Sequence, residues 1–383
     1  MFPRRLQIRL STPLDLQDQR FETCSMHLAR LRLRDFRNYA VLDSAFSPGF
    51  HVLLGDNAQG KTNILEAIYL LATLRSFRGV GSAQLVRHGQ TGYFVGAGLT
   101  SQQEHDIKLF WSAKERRLSV DSQPIRKISQ YLGVLRAVVF CSEDLQLVKG
   151  TSRQRRRFID LLLCQTHPHY LALLQRYAKA LRSRNALLKQ RVCDERAIES
   201  FSLELIASGT HILGLRKEFI PKLSPLVRKA YAQVSGGTEE LRIEYVPGVK
   251  QDFALELARS RARERAYRST LVGSHRDELQ LQFNDKPAAQ FASEGQKRTL
   301  AIALKMAQAE YLTVILGIPP ILLIDDVMGE LDAKRRGGLL PLLERSHQAR
   351  GQVFMTCTQE NWPSELGREL HRWNVHSGRL MRV

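Results

Sequence analysis

The sequence predicts an α/β fold in which one lobe, assembled from both ends of the chain, is interrupted by a helix-rich second lobe. Two observations predict the first lobe: an apolar strand followed by a glycine-rich loop at residue 55, and an apolar strand that ends in two acids at residue 325. The third observation is the stretch between them, where long helical patterns replace strand-like segments after Lys149. We therefore expect residues 26–149 and 271–383 to form the first lobe and 150–270 the second.

The composition is that of a globular protein with a strong excess of positive charge. The 383 residues include 57 Lys and Arg against 38 Asp and Glu, a formal net charge of +19. This excess favours a polyanionic partner, nucleic acid before a membrane surface. No run of about 18 apolar residues predicts a spanning helix, and the five cysteines form no CxxC pair that would indicate a zinc site. We expect free thiols, no membrane association and a cytoplasmic location.

The first 25 residues contain basic side chains but no apolar core of a secretory signal. The first strongly patterned segment begins at Met26, a second methionine. We expect residues 1–25 to be an extension of little structural importance or the result of a start-site choice, with a genuine N-terminal strand as the alternative.

Short strands are predicted on both sides of the glycine-rich loop. From Leu28 to Arg34 apolar and basic residues alternate, which predicts a half-exposed strand with Leu31 and Leu33 inward. Tyr39 to Phe46 is its expected antiparallel neighbour, and the continuous apolar run from Phe50 to Leu54 is typical of a buried central strand. Further short strands are predicted at 93–99, 106–111, 117–121 and 137–140.

Helical patterns dominate from Lys149 to Arg268, with long stretches at 202–234 and 253–268. After residue 270 the two kinds of segment alternate again. Strands are predicted at 279–283, 321–324 and 352–356, and helices at 295–316 and 333–346. No period of 20 to 50 residues recurs, so a solenoid is excluded.

The glycine-rich loop has the spacing GxxxxGK[ST] and lies between a predicted strand and a predicted helix, the context that a phosphate-binding P-loop requires. Its backbone N–H groups and the helix N-terminus would face a β-phosphate. Lys61 would add a point charge at the β/γ oxygens, and the Thr62 hydroxyl would be a Mg²⁺ ligand. The predicted nucleotide-binding residues of the loop are Gly55, Asp56, Asn57, Ala58, Gln59, Gly60, Lys61 and Thr62.

A P-loop requires a carboxylate at the end of a neighbouring strand, and the run from Ile321 to Asp326 provides a strand ending in two acids, a Walker B pattern. Asp325 would hold Mg²⁺, through water, and Asp326 would orient or deprotonate the attacking water. Asp325 follows Lys61 by 264 residues, which implies an inserted subdomain. The chain contains no NKxD tetrapeptide, so a GTPase is disfavoured.

The segment Ser293-Glu294-Gly295-Gln296 opens a predicted helix 32 residues before Asp325. It resembles the signature motif of ABC-type ATPases, whose helix N-terminus can face a γ-phosphate. In those ATPases the motif acts across a dimer, so that ATP joins two subunits head to tail. Ser293, Gly295 and Gln296 are therefore predicted nucleotide contacts, and Ser293 joins Lys61, Asp325 and Asp326 in the predicted catalytic set.

Taken together, these motifs resemble the RecF family of ATPases, which is related to the heads of SMC and Rad50 proteins. The resemblance extends from Met26 to the C-terminus. It rests on several stretches in the expected order: Phe36-Arg37-Asn38-Tyr39, the P-loop, Ser76-Phe77-Arg78, Ser142-Glu143-Asp144-Leu145, Arg155-Arg156-Arg157-Phe158-Ile159-Asp160, Gly273-Ser274-His275-Arg276-Asp277, the signature segment, Asp325-Asp326 and Glu330-Leu331-Asp332.

The resemblance implies a two-lobed ABC-type head without a coiled coil, since the chain contains no long heptad array. It implies ATP and Mg²⁺ as cofactors, ATP-dependent homodimerisation on double-stranded DNA near gaps, and slow hydrolysis that releases the dimer. It further implies that the protein acts with RecO and RecR in loading the recombinase, in DNA repair, replication and the SOS response.

The resemblance also assigns roles to individual residues. Arg37 would contact the nucleotide phosphates, Glu143 and Asp144 would lie near the γ-phosphate, and Asp332 would lie at the dimer interface. Two departures from the ABC transporter pattern affect the signature, where Ala292 and Glu294 replace a leucine and a glycine. A third affects the hydrolysis trigger, because Thr356 stands where transporter ATPases carry a histidine.

A basic run begins at Lys149, and from there to Gln190 the only acid is Asp160. It predicts a DNA-binding face, with an ordinary solvated helix face as the alternative. The candidate DNA contacts are Arg153, Arg155, Arg156, Arg157, Arg182 and Arg184. No motif for sequence-specific recognition appears. The alternative functions are a transport-coupled ABC ATPase subunit and an ATPase-linked nuclease, and the latter lacks a second cluster of acids.

Overall fold

The computed structural model describes residues 26–101, 103–192, 194–237, 239–348, 351–358 and 370–383. The predicted extension, residues 1–25, lies outside them. The strands are β1 (His27–Phe36), β2 (Tyr39–Ala45), β3 (Gly49–Leu54), β4 (Gly92–Thr100), β5 (Glu104–Ser112), β6 (Arg116–Val120), β7 (Gln123–Pro124), β8 (Ala137–Phe140), β9 (Leu241–Val246), β10 (Glu278–Phe283), β11 (Lys286–Pro287), β12 (Ile321–Asp325), β13 (Gln352–Cys357), β14 (Leu370–His376) and β15 (Arg379–Arg382). The helices are α1 (Lys61–Thr73), α2 (Gln146–Lys149), α3 (Ser152–Thr166), α4 (Tyr170–Leu188), α5 (Glu195–Ser235), α6 (Phe253–Tyr267), α7 (Ala288–Phe291), α8 (Glu294–Leu316), α9 (Val327–Glu330) and α10 (Ala333–Gln348).

A mixed sheet joins the two ends of the chain, in the strand order β15-β14-β3-β13-β12-β8. All its neighbouring pairs are parallel except β14 with β15. The sheet is covered on both faces, which explains the continuous apolar runs of its central strands. Along β3, for example, Val52 belongs to the core on one face and Leu53 to the core on the other.

A second sheet is antiparallel, in the order β2-β1-β4-β5-β6-β7. It confirms the predicted pairing of the first two strands and the predicted meander, and Leu31 and Leu33 are buried as expected. Helix α1 packs between this sheet and the mixed sheet, and its side chains from Ile64 to Ala72 are buried in their shared core. Strand β8, predicted beside the meander segments, instead pairs parallel with β12 in the mixed sheet.

Helices α3, α4, α5 and α6 form the helix-rich region predicted after Lys149. One segment there differs from the sequence-based prediction: Leu241–Val246 is a strand, β9, which pairs antiparallel with β10. A small sheet β11-β10-β9 thus crosses the predicted lobe division at residue 270.

Helix α8 is the main core helix on the other face of the mixed sheet, with buried side chains along most of its length. Of the described helices it alone is long and apolar enough to cross a membrane, and 72% of its most apolar window is buried inside the protein. Its apolarity is that of a helix surrounded by core on several sides.

Candidate functional site

The predicted P-loop connects β3 to α1, and two of its glycines have backbone conformations that other residues rarely adopt. Gly55 has φ +150° and Gly60 has φ +116°. A Cβ on Gly55 would lie 2.3 Å from the carbonyl oxygen of Val375, and one on Gly60 would lie 2.6 Å from Asn38 Nδ2. Both positions therefore require glycine, and Gly60 turns the chain directly into the first residue of α1.

Side chains from two distant parts of the chain hold the loop in place. Asn38, in the turn between β1 and β2, donates from Nδ2 to the carbonyl of Gln59 at 2.8 Å, and Tyr39 donates from its hydroxyl to the carbonyl of Gly60 at 3.1 Å. From the C-terminal hairpin, the Ser377 N–H donates to Gln59 Oε1 at 2.7 Å. Three contacts from outside the loop thus hold Gln59 and Gly60 in place.

The loop borders an open cavity of about 720 Å³, large enough for a nucleotide. Lys61 is buried at its base and donates from Nζ to the carbonyls of Gly55 and Asp56, at 2.6 and 2.9 Å. Most of the predicted P-loop residues line the cavity, together with basic residues from other segments. The lining residues are Arg37, Asn38, Asp56, Asn57, Ala58, Gln59, Gly60, Lys61, Thr62, Asn63, Arg78, Gln84, Val86, Arg87, His88 and Asp326.

The Walker B carboxylates lie beside the P-loop because β13 pairs with both β3 and β12. The Thr62 hydroxyl donates to Asp325 Oδ1 at 2.8 Å, as does the Thr356 hydroxyl at 3.0 Å. Burial raises the pKa of Asp325, and the two hydroxyls and Arg78 oppose that shift. Asp326 has φ +59° and its side chain lines the cavity, whereas its N–H donates to Thr356 Oγ1 at 2.9 Å.

Arg37 lines the cavity from the turn after β1, where the resemblance places a phosphate contact. Its guanidinium donates two hydrogen bonds, of 2.8 and 2.9 Å, to the buried carboxylate of Glu66. It also donates to the carbonyl of Gln84 at 3.0 Å. The Ser76 hydroxyl donates to the same carboxylate. Glu66 therefore positions Arg37 at the edge of the cavity and explains an acid in the middle of a buried helix.

The signature segment begins α8, as predicted. Ser293 caps this helix: its Oγ accepts from the Gln296 N–H at 3.2 Å, and Gln296 Oε1 accepts from the Ser293 N–H at 2.7 Å. This is a reciprocal capping box, which leaves the helix N-terminus ordered and exposed. Ser293, Gly295 and Gln296 are not among the described residues that line the P-loop cavity. A single chain does not bring the two predicted halves of the site together.

Two other residues named by the resemblance lie outside the cavity lining. Asp144 accepts from the Cys141 N–H at 2.9 Å and pairs at 3.6 Å with Lys305 of α8, whose side chain is 6% exposed. Asp332 is exposed and pairs with Arg335 at 2.6 Å. The expected position of Asp144 near a γ-phosphate is therefore not seen in the single chain, where it anchors a loop to α8.

Comparisons with known proteins agree with this geometry. Residues 27–372 match the family described as the RecF/RecN/SMC N-terminal domain. The DNA replication and repair protein RecF of Cyanothece sp. (strain PCC 7425) is 38% identical over 349 residues, which cover 87% of this chain and 92% of the relative. The chain belongs to the RecF family.

Solved structures give the same assignment. A structure of the recombination mediator protein RecF with ATP, from the RecFOR pathway, is 28% identical, has a TM-score of 0.87 and covers 96% of this chain and all of that one. The Smc head domain of Pyrococcus furiosus, solved with an extended coiled coil and bound to the C-terminal domain of ScpA, has a TM-score of 0.55 at 16% identity. The match covers 94% of this chain and 96% of that one and shows the shared fold. The predicted ABC-type fold is confirmed.

RecF family membership does not test the predicted DNA contacts, but their surroundings correct several of them. Arg184 is buried at 1% exposure, where it donates to Glu264 at 2.6 Å, Ser202 at 2.9 Å and Thr270 at 2.8 Å. It cannot reach a DNA phosphate, so its prediction as a DNA contact is wrong. Arg184 is four residues from both Ala180 and Leu188, on the buried face of α4. This spacing can be seen in the sequence and predicts burial.

Two more of the predicted arginines are engaged within the protein. Arg155 pairs with Glu278 through two hydrogen bonds of 2.7 and 2.8 Å, and Arg156 donates to the carbonyl of Asp277 at 2.6 Å. Both connect α3 to the start of β10. Arg153, Arg157 and Arg182 are exposed and remain candidates.

Sequence motifs assign no role to several residues at this cavity. Arg87 and His88 line the cavity from the segment after a short turn, and Asn38 braces the P-loop. None belongs to a motif with a spacing that predicts phosphate binding. Only the fold brings them to the same cavity.

Proposed function

We propose that the protein is an ATP-dependent DNA-binding switch of recombinational repair and replication restart. One observation carries the proposal: a complete P-loop and Walker B constellation lies in one chain, whereas the exposed signature helix N-terminus lies outside its cavity. A site divided in this way is completed when a second copy supplies its signature segment. ATP would then join two protomers, and hydrolysis would separate them.

The P-loop cavity supports ATP as the nucleotide. It offers backbone N–H groups at the start of α1, the Lys61 ammonium, and Arg37 and Arg78 at its rim. Several positive groups and a helix N-terminus suit a triphosphate. The RecF structure solved with ATP, which matches this fold, is consistent with the same ligand here.

The residues present fit a Mg²⁺ ion. The Thr62 hydroxyl and Asp325 Oδ1 are 2.8 Å apart, both are hard oxygen ligands, and Asp325 is a half-buried carboxylate whose pKa burial raises. Among the described residues no cluster of three or more His, Cys, Asp or Glu could hold a metal alone. Mg²⁺ would therefore need nucleotide phosphates as further ligands, and it would neutralise charge on them. Asp326, at the cavity wall, is the candidate to orient water.

Arg75, Arg153 and Arg157 form a basic cluster near the end of α1, and this cluster supports DNA as the partner. Arg157 of α3 has a pKa lowered first by partial burial and then by the like charges of Arg75 and Arg153. Like charges held together by the fold are favourable sites for phosphate oxygens. The net charge of +19 favours the same partner. We place the duplex against this cluster, with Arg182 as a further contact.

The remaining parts of the proposal follow from family membership. The RecF relatives are named for DNA replication and repair, and the solved RecF structures come from the RecFOR pathway. We therefore propose that this protein acts near gaps in the cytoplasm with RecO- and RecR-type mediators to load the recombinase, and that its hydrolysis is slow. The family assignment gives no support to the transport-coupled alternative.

Light scattering with and without ATP and a gapped duplex tests the proposal. We expect the wild-type mass to double with ATP and a DNA complex to form. Ser293→Arg should still bind ATP as a monomer but not dimerise, because the new side chain would occupy the position of the partner's γ-phosphate. A wild-type protein that stays monomeric with ATP and DNA, or a Ser293→Arg variant that dimerises normally, would contradict the model.

A further inference from the structure

The first turns of α8 and α10 lie side by side, and Arg335 bridges them. Its Nε donates to the Thr299 hydroxyl in α8 at 2.9 Å, and its Nη1 donates to Asp332 Oδ2 at 2.6 Å. Asp332 also caps α10 by accepting from the Arg335 N–H at 2.8 Å. One guanidinium therefore joins the signature helix to the loop that follows the Walker B acids.

The bridge reaches the signature segment itself. The Thr299 hydroxyl donates to the carbonyl of Gly295 at 2.9 Å, so a chain of hydrogen bonds runs from Asp332 through Arg335 to Gly295. A Cβ built on Gly295 would lie 2.5 Å from Arg335 Nη2 and 3.4 Å from its Cζ. In this structure the missing side chain at Gly295 makes room for the guanidinium.

The side chains of the bridge and of the neighbouring Glu294 are partly or largely exposed, which indicates a role other than folding stability. The side chain of Asp332 is 53% exposed, that of Glu294 is 62% exposed, and that of Arg335 is 30% exposed. A charged bridge at a partly exposed surface contributes little to folding stability. It does fix the first turn of α10 against α8, and through Thr299 it reaches the carbonyl of Gly295 in the signature turn.

We propose that Arg335 is a positioning residue that sets the signature turn, Ser293 to Gln296, relative to the Asp332 loop for ATP-driven pairing of two copies. The inference rests on the proposed function, because it assumes that the signature segment binds the partner's ATP. Arg335 is not among the described residues that line the P-loop cavity. It links the surface that recognises the partner to the segment that follows the hydrolytic acids.

The test measures the ATP concentration for half-maximal dimerisation by light scattering, and the ATP affinity of the monomer separately. Arg335→Ala should raise the dimerisation midpoint about tenfold, the factor that a charge-assisted hydrogen bond typically contributes, with unchanged monomer affinity. Arg336→Ala is the matched control, because its side chain has no part in the bridge, and it should behave as wild type. A purely structural role would lower the melting temperature without separating the two readouts.

Gly295→Ala provides a second variant, which deletes no hydrogen-bonding group from the protein. The added methyl should displace the guanidinium and raise the dimerisation midpoint by a similar factor. The double variant Gly295→Ala/Arg335→Ala should be no worse than Arg335→Ala alone, because both changes break the same contact.

The outcomes separate this inference from the proposed function. If wild type does not dimerise with ATP, the proposed function fails and the inference fails with it. If wild type dimerises, Ser293→Arg does not, and Arg335→Ala matches wild type, only the role of Arg335 is overturned. Additive effects of the Gly295 and Arg335 changes would also overturn it.

Discussion

The Thr356 hydroxyl donates to Asp325 Oδ1 at 3.0 Å, and its oxygen accepts from the N–H of Asp326 at 2.9 Å. One side chain at the end of β13 thus holds both acids of the neighbouring strand. The resemblance to transporter ATPases implies a histidine at this position. In this chain the hydroxyl acts on the acids directly, because the parallel pairing sets Thr356 opposite Asp325.

Thr356→Val tests whether this contact matters for hydrolysis. Valine keeps the shape but cannot bond to either acid, so the N–H of Asp326 loses its acceptor and the acid its fixed position. We expect kcat for ATP hydrolysis to fall about tenfold, while the Kd for ATP changes less than about threefold. Thr356→Ser, which keeps the hydroxyl, is the control. Equal turnover by the valine variant and wild type would show that Thr356 does not position Asp326.

Lys61→Met tests the P-loop. The lysine ammonium already spans the carbonyls of Gly55 and Asp56, and its loss removes the buried positive charge nearest the expected phosphates. We expect the Kd for ATP to rise about 100-fold or more, since several charge-assisted bonds are lost together. Lys114→Met, at an exposed loop position, is the control. Retained binding, measured by fluorescent-nucleotide titration, would exclude this cavity as the ATP site.

The basic cluster predicts the salt dependence of DNA binding. Replacing Arg153 and Arg157 together by alanine should weaken binding to a gapped duplex and lower the slope of log K against log salt by about two, one unit for each lost phosphate contact. Arg176→Ala is the control, because Arg176 is exposed but pairs with Glu204 at 2.8 Å. An unchanged slope in the double variant would place the DNA elsewhere.

Two buried histidines predict a loss of stability in acid. Burial lowers the pKa of His51 and of His275 to about 4, against an ordinary value of 6.5. His51 Nδ1 accepts from the indole N–H of Trp373 at 3.0 Å, so a proton on that nitrogen would face another donor. The unfolded chain binds these protons more readily. Stability is therefore complete above pH 6.5 and falls as the pH drops towards 4, by up to about 1.4 kcal/mol per pH unit for each histidine.

Unfolding in denaturant at pH 7.5, 6 and 5 measures this loss. The nearby His371, Arg382 and His27 also lower the pKa of His51, but its burial is the larger cause. His51→Gln, which cannot titrate, should remove the His51 share of the dependence between pH 6.5 and 4 and leave that of His275. The same slope in wild type and the variant would mean that His51 does not contribute.

Substitution of Arg216 should strongly destabilise the helical region. Arg216 is buried and pairs with Asp160 at 2.7 Å and Asp277 at 2.5 Å, which joins α3 and α5 to the turn before β10. Arg216→Met would leave carboxylates buried without a counter-charge and should lower the free energy of unfolding by about 3–5 kcal/mol. Arg176→Met removes an exposed pair and should cost at most about 1 kcal/mol. Similar losses in the two variants would argue against a network at Arg216.

Short motifs were enough to predict the nucleotide site, because each of its parts is local: a loop of fixed spacing, a strand ending in acids, a capped helix. The P-loop at Gly55, the acids at Asp325 and the cap at Ser293 all lie on the predicted kinds of element. The motifs do not predict how the loop, the acids and the helix cap are arranged relative to one another. That depends on β13 lying between β3 and β12, a strand order that no residue pattern specifies.

Charge alone does not separate solvent-facing arginines from buried ones. Composition groups Arg184 with the solvent-facing arginines, although its spacing from Tyr177 and Leu188 puts it on the buried face of α4. Its buried partner Glu264 is 80 residues away, beyond the reach of any local pattern. The sequence does not predict strand β9, because six residues between two long helices give a weak signal and the strand is stabilised by its pairing with β10.

The contact between the C-terminal hairpin and the P-loop also bears on synthesis of the protein. Strand β14 pairs with β3, and Ser377 and Gly378 bond to Gln59, so the P-loop is held by residues more than 300 positions apart in the sequence. Synthesis would have to pass Gly378 before these contacts could form. A nascent chain that stops short of Gly378 would lack them and would therefore bind nucleotide poorly.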